Sequence, residues 1–359
     1  MTEAVESRCW AEVSLDAIAH NYRLLRSISG RDCELMGIVK ADAYGHGAAA
    51  VSARLVQEGA HVLAVATLPE AVELRGAGID RDILILGHTP AELIPCAQRH
   101  NVTVTVASES AARAYNAAVT GGERLRCHLK IDTGMSRLGC SGTELIWGYY
   151  PNLRFEGVFT HLPVSDENSE ISREYTRAQI ERFRAIAEHY GLPYSHCANS
   201  GGVAAYPASC SAPFNLARPG IALYGHYAGL GLMPAMEWYA RIFQIHEVKA
   251  GDAVGYGQTW RARRASKIGV LGVGYADGYR RALSNVGEVF INGRRAPVVG
   301  RVCMDLTMID VTEVPGAEVG SAAELFGRHV TVEEMAERLG TITYELLTNV
   351  GRRVPRVYK

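Results

Sequence analysis

Eight short apolar runs alternating with helix-compatible stretches occupy the first two thirds of the chain and restrict what it can fold into. The runs are Glu34–Val39, His61–Val65, Asp82–Leu86, Val102–Val106, Arg126–Ile131, Phe155–Thr160, Pro193–Cys197 and Phe214–Ala217. They are too short for buried helices and too continuously apolar for strands with one wet face, so they read as strands covered on both sides. The segments Ala48–Glu58, Pro69–Ala77, Pro90–Gln98, Ser108–Val119, Gly142–Gly148, Glu170–Tyr190 and Gly202–Tyr206 are the helices between them. Strand and helix in regular alternation predict a parallel sheet, and eight repeats favour a closed (β/α)8 TIM-type barrel over a doubly wound open sheet.

The texture changes after about Gly231. Glu237–Val248, Lys267–Val273, Glu288–Ile291, Arg295–Val299 and Thr307–Val311 are short β-branched runs divided by turns such as Asn292-Gly293. They predict a mostly antiparallel β domain, with one helix over Thr331–Leu339. The fold class expected is therefore α/β, an N-terminal barrel plus a C-terminal β domain. Upstream, Trp10–Leu15 alternates like an exposed strand, and Asp16 is placed to cap a helix running to Ile28.

With 37 basic and 38 acidic side chains, the chain carries no charge bias toward nucleic acid or an anionic membrane, which leaves a small molecule as the expected partner. Met1–Glu12 lacks the apolar core of a secretory signal, and no apolar run is long enough to span a bilayer. The eight cysteines form no C-x-x-C pair. They read as reduced, mostly buried residues of a cytoplasmic protein, with no metal site expected.

Chemistry in such a barrel sits at the C-terminal ends of the strands. Lys40 ends the first strand, and the turn Tyr44-Gly45-His46-Gly47 follows it. A lone lysine there ordinarily snorkels to water, yet a turn that hands a strand to a helix also offers backbone N–H groups to an anion. Four other groups share that rim: Asp132–Arg137 after the fifth strand, His161 after the sixth, Asn199-Ser200-Gly201 after the seventh and Arg218-Pro219-Gly220-Ile221 after the eighth. A lysine beside an anion site suggests an aldehyde cofactor that carries a phosphate.

The stretches Val39–Gly47, His128–Gly139, Arg218–Gly225, Gly274-Tyr275-Ala276-Asp277-Gly278 and Gly300–Asp305 resemble those of the alanine racemase family. The resemblance implies a pyridoxal 5′-phosphate (PLP) barrel over 15–232 and a β domain over 233–359 joined by the strand in 1–14. It also implies a homodimer with shared active sites. By motif, Lys40 holds the cofactor as a Schiff base, and Tyr44, Ser200, Gly220 and Ile221 hold its phosphate. Leu86, His161, Asn199 and Arg218 match other cofactor-pocket positions. Arg137 and Met304 match residues that hold the substrate carboxylate and the ring hydroxyl, and Lys130 matches a lysine that can be carbamylated and then pairs with Arg137.

Racemisation needs a proton removed from one face of Cα and returned to the other, so two bases are the natural arrangement. The resemblance supplies Lys40 and the partner subunit's Tyr275, with a hydrogen-bond chain from Tyr275 through His161 to Arg218. The implied function is interconversion of L- and D-alanine, supplying D-alanine for peptidoglycan. One position departs from the pattern: Arg352 stands where family members carry a tyrosine that touches the phosphate and narrows the entrance. Arg352 either serves as an equivalent phosphate partner or reshapes the pocket to admit a hydroxymethyl, and weak discrimination against an added hydroxyl keeps serine racemisation open. A chain of that kind can be the catalytic part of a membrane protein. A non-catalytic PLP-binding barrel and a decarboxylase are the remaining readings; the first lacks a β domain, and this chain has no Gly-Gly-Gly phosphate loop for the second.

Overall fold

Val62–Val65 and the Ile83–Ile85 stretch of Asp82–Ile85 are wholly buried strands, as continuous apolar runs require. In the computed structural model, which describes residues 7–141 and 150–359, the strands close into a ring. Gly37–Ile38 pairs in parallel with Leu63–Ala64, Val62–Val65 with Asp82–Ile85, and Leu84 bridges to Thr103. Val104–Val106 pairs with Leu125–Lys130, which pairs with Leu153–Phe159, which pairs with Tyr194–His196. The N–H groups of Asn215 and Arg218 then bond to Ser195 and Ala198, and Leu216–Ala217 lies beside Glu34–Leu35. The last strand therefore meets the first, which makes a barrel of eight parallel strands and not an open sheet.

The helices start where polar caps allow. Ser108 and Ser169 accept the N–H of Ala111 and Ser172, opening Glu109–Ala118 and Glu170–Tyr190. Gly191 ends the latter in a left-handed conformation. Asp16 is not a cap: the helix Leu15–Ser29 begins one residue earlier, and Asp16 lies in its first turn, where it pairs with Arg54 at 3.0 Å. Pro90–Gln98 becomes a tight turn at Ala91–Leu93 followed by the helix Ile94–Arg99. The helix expected over Gly142–Gly148 lies outside the described residues.

The described residues form two units by contact: one holds Asp16–Ala43 and the described part of Gly47–Met233, the other 7–15, Tyr44–His46 and Pro234–Lys359. In the second unit the sheet order runs Arg294–Pro297, Glu288–Ile291, Ala322–Phe326, Met236–Val248, Cys9–Val13, Arg356–Tyr358. Ser266–Leu271 pairs with the far end of Met236–Val248 and with Thr307–Asp310. Cys9–Val13 is not an exposed strand. It sits between an antiparallel and a parallel neighbour, with Cys9, Trp10, Ala11 and Val13 buried. Trp10 stacks on Tyr239 at 5.5 Å, so the face read as wet is covered. Asn292 and Gly293, at φ 48° and 81°, make the tight hairpin turn their sequence predicts.

Candidate active site

The strand Leu125–Lys130 sends three basic side chains, Arg126, His128 and Lys130, to one face, because strand residues two apart share a side. At its start Arg126 pairs with Asp82 and Glu156, each at 2.7 Å. At its end Lys130 is buried, with its Nζ 5.2 Å from the centre of the Phe159 ring. The Arg218 guanidinium sits 5.2 Å from the same ring. Phe159 is thus the common floor of two cations, an arrangement that favours positive charge over an aromatic face.

Arg218 follows the eighth strand and is almost fully buried. Its Nη1 donates to Nδ1 of His196 at 2.6 Å and to the His196 carbonyl at 2.9 Å. Its Nη2 donates to the carbonyls of Thr160 at 2.5 Å and Cys197 at 3.3 Å, and lies 3.5 Å from Nδ1 of His161. Among the described residues these bonds engage Nη1 and Nη2 and not Nε–H, which leaves one guanidinium donor for a ligand. Burial pushes Arg218 down to about 10.

Lys40 opens an unusual turn. Ala41, Asp42, Ala43 and Tyr44 all take left-handed conformations, with φ of 52°, 54°, 53° and 54°. Each such L-residue costs about 1–2 kcal/mol, so the turn needs external support. Glu70 accepts the Ala41 N–H at 2.7 Å through one carboxylate oxygen and the N–H groups of Ala66 and Thr67 through the other. Asp42 accepts the Ala48 N–H at 2.7 Å, and the hydroxyl of Tyr224 donates to Ile38 at 2.7 Å. Burial first, and then Arg137, lower the Lys40 pKa, while Glu70 opposes them.

The cations of the barrel rim depress one another. Lys130 is pushed down to about 8 by burial, then by Arg218, Arg137 and Lys40. His161 is held well below its ordinary value by burial and by Arg218. Such a pocket is completed by anions. Ser200 Oγ accepts the N–H groups of Gly220 at 3.1 Å and Ala222 at 3.2 Å, which turns its own O–H outward as a donor. Asn199 is committed to the fold: Oδ1 accepts from Gly202 and Ser165, and Nδ2 donates to Leu162. Leu86 is half-buried just beyond the third strand, and Arg137 is exposed in the loop that Asp132 pins through the N–H groups of Gly134 and Met135.

In the β unit, the turn Gly274–Gly278 separates into parts. A Cβ on Gly274 would lie 2.4 Å from the carbonyl oxygens of Cys303 and Met304, and one on Gly278, at φ 107°, would lie 1.9 Å from that of Asn349. Only glycine fits at either place. Asp277 is wholly buried, accepting Gly274 N–H at 2.9 Å, Arg8 at 2.5 Å and Arg353 at 2.7 Å. Tyr275 is 43 % exposed, unlike the buried Asp277 two residues on. Bonds from Tyr275 N–H to Cys303 and from Ala276 N–H to Met304 bring Tyr275 and the 54 % exposed Met304 together. Gly351 N–H bonds to Asp277, which places exposed Arg352 beside that turn. Tyr44 belongs to this unit: its ring lies 5.9 Å from that of Tyr344, and Arg356 donates to the next carbonyl, Gly45, at 2.9 Å.

The barrel rim brings Lys40, Lys130, Arg137, His161 and Arg218 within electrostatic reach of one another, and Ser200 is bonded to Gly220. Sequence reasoning passed over His196, His128, Phe159 and Glu70. The signal for His128 was its position two residues before Lys130 on one strand face; His196 carried none beyond being a polar residue in an apolar run.

The sequence matches the model of the alanine racemase N-terminal domain over residues 13–228 and that of the C-terminal domain over 235–358. It is 42 % identical to an alanine racemase of Carboxydothermus hydrogenoformans over 97 % of this chain and 99 % of that protein. Against alanine racemase 1 of Clostridium acetobutylicum the figures are 40 %, 97 % and 95 %. The fold superposes on the alanine racemase of Clostridium difficile 630 with a TM-score of 0.92 at 34 % identity, covering 98 % of this chain and 96 % of that one. The alanine racemase of Bacillus anthracis with bound L-Ala-P gives 0.91 at 32 %, with 98 % and 95 % covered. Matching in both halves and along nearly its whole length, the chain belongs to the alanine racemase family.

Proposed function

We propose that the protein interconverts L- and D-alanine with pyridoxal phosphate, Lys40 and the partner subunit's Tyr275 exchanging the α-proton on opposite faces of the substrate. The observation that carries this reading is the turn at Tyr275: its glycines and Asp277 are fixed by close approach and burial, and the tyrosine they present is 43 % exposed.

The residues present suit the cofactor. The Arg218 guanidinium would face a ring acceptor, and the hydroxyl of Ser200 with the N–H of Ile221 would hold a phosphate, the N–H of Gly220 being taken by Ser200 Oγ; Tyr44 and Arg352 are assigned to the phosphate by their motifs alone. Leu86, His161 and Asn199 complete the pocket. When bound, PLP delocalises the electron pair left at Cα. Lys40, its amine favoured in the neutral form by burial and neighbouring cations, accepts a proton at Nζ. Tyr275 gives or takes one at Oη. Arg137 would hold the substrate carboxylate, and Met304 is assigned by its motif to the ring hydroxyl. Arg218 cannot deliver a proton at neutral pH, so it stabilises by charge without protonating the ring nitrogen.

Lys130 is buried with no carboxylate pairing it among the described residues. Its lowered pKa raises the neutral fraction that can add carbon dioxide, losing a proton to give a carbamate that faces Arg137. Dimerisation, a cytoplasmic setting and supply of D-alanine for the cell wall complete the reading. No described helix is long and apolar enough to cross a membrane.

Incubating purified protein with L-alanine and, separately, L-serine tests it. D-Alanine formation with cofactor absorbance in the visible is expected. A colourless protein, or one that converts neither substrate, refutes the assignment, and faster conversion of serine assigns Arg352 the reshaped pocket.

A further inference from the structure

Beneath Arg218 the barrel interior is polar, where such barrels are ordinarily filled by branched apolar side chains. Nε2 of His196 lies 2.9 Å from Nδ1 of His128, and both rings are buried. His196 stacks flat on Phe159, centroids 4.8 Å apart at 7°, and His128 on Tyr194 at 5.8 Å and 26°. The strands are shaped around the pair. A bulge between Cys127 and His128 skips Glu156 and sets Gly157 opposite His128, where a Cβ would lie 2.6 Å from the imidazole. Below, His128 lines a cavity of about 10 Å³ with Asp82, Thr103, Arg126 and Tyr194, the room for one water.

The donors and acceptors in this column have one consistent assignment. Arginine has no acceptor, so the His196 Nδ1 that Arg218 contacts at 2.6 Å must be unprotonated. The neutral ring then carries its proton on Nε2 and donates it to Nδ1 of His128. His128 in turn, accepting at Nδ1, holds its own proton on Nε2. The charged groups facing His196 are Arg218 and Lys130; those facing His128 are Arg126, Arg218 and Asp82. Cations predominate around both rings, which opposes a further proton on either.

We propose that His196 and His128 are positioning residues, a tautomer-locked pair that fixes the Arg218 guanidinium from below and ties it to a water site at the N-terminal mouth of the barrel. Turning the guanidinium would break its bonds to His196 Nδ1 and to backbone carbonyls together, so Nε–H is held as the donor for the ligand. The proposal rests on Arg218 being the arginine of the cofactor pocket; the state of the two rings is independent of that.

Protein labelled with ¹⁵N-histidine and freed of cofactor tests the pair, assigned through His128→Gln and His196→Asn. Both rings are expected neutral, protonated on Nε2, and unchanged between about pH 6 and 8. A proton on Nδ1 of either ring, or titration in that range, overturns the proposal. In the loaded enzyme His196→Leu removes the acceptor, whereas His196→Asn returns an oxygen near the place of Nδ1. A kcat loss of at least about tenfold with KM nearly constant is expected for Leu, and recovery to within about threefold for Asn. Equal activity in the two variants defeats the proposal. An inactive wild type would defeat the racemase reading alone, since the tautomers decide the pair by themselves.

Discussion

The carboxylate of Glu70 accepts the backbone N–H of Ala41 at 2.7 Å, immediately after Lys40. Its other oxygen caps the helix Leu68–Gly76 through Ala66 and Thr67. One side chain therefore joins the second strand's loop to the left-handed turn that carries the reactive lysine. Glu70→Ala removes three accepted bonds, and a stability loss of about 2–3 kcal/mol is expected, read by denaturant melts. Glu70→Gln keeps an oxygen for one end only and should fall between. Unchanged stability in the alanine variant would mean the turn is held without Glu70, by supports such as Asp42 and Tyr224.

Tyr275→Phe tests the opposite case, a residue whose hydroxyl carries the proposed chemistry and whose ring is retained. The side chain is 43 % exposed, so the melting temperature should not move. Loss of proton transfer on one face should lower racemisation by about 10²–10⁴-fold. Solvent deuterium incorporation from the two enantiomers separates the faces: the variant should retain exchange from one and lose it from the other. Equal loss from both contradicts a two-base division.

Asp277→Ala should damage activity from a distance. Its buried carboxylate is held between Arg8 and Arg353 and accepts Gly274 N–H. Both arginines are partly exposed, so the cost sits near the low end for a broken buried pair, about 3 kcal/mol. Calorimetry should show that drop together with a fall in kcat, because the turn that presents Tyr275 loses its anchor. Asp277→Asn should recover part of the stability.

Acid should unfold the barrel through its interior histidines. Burial, then Arg126 and Arg218, lower His128 from 6.5 to about 3, and His196 is lowered in the same direction. Below pH 6.5 the unfolded chain takes up protons the folded one refuses, so stability is full above that pH and falls toward about pH 3. The slope from one such ring is about 1.4 kcal/mol per pH unit. Replacing His128 by Gln should flatten the curve in that window.

The barrel was legible because parallel strands covered on both sides are continuously apolar, and Lys40 stood out by ending such a run. The left-handed turn was not: Ala41, Ala43 and Tyr44 have no preference for positive φ, and the conformation is imposed by Glu70, far along the chain. The bond from Arg218 to His196 exists only because the eighth strand closes beside the seventh. Ala322–Phe326 escaped notice because Ala-Ala-Glu-Leu-Phe contains no β-branched residue, and its strand state comes from its neighbours on either side. Asp277 was visible as part of a motif, but its role depends on arginines near opposite ends of the chain.

The one-sided placement of Arg126, His128 and Lys130 makes the chemistry of this barrel separable from its architecture. Losing a single residue from that strand's start would turn Cys127 and Leu129 inward in their place. The buried polar column would then lose His128 and Lys130 while His196 and Arg218 stayed in place. What this one strand contributes to the site is set by its parity.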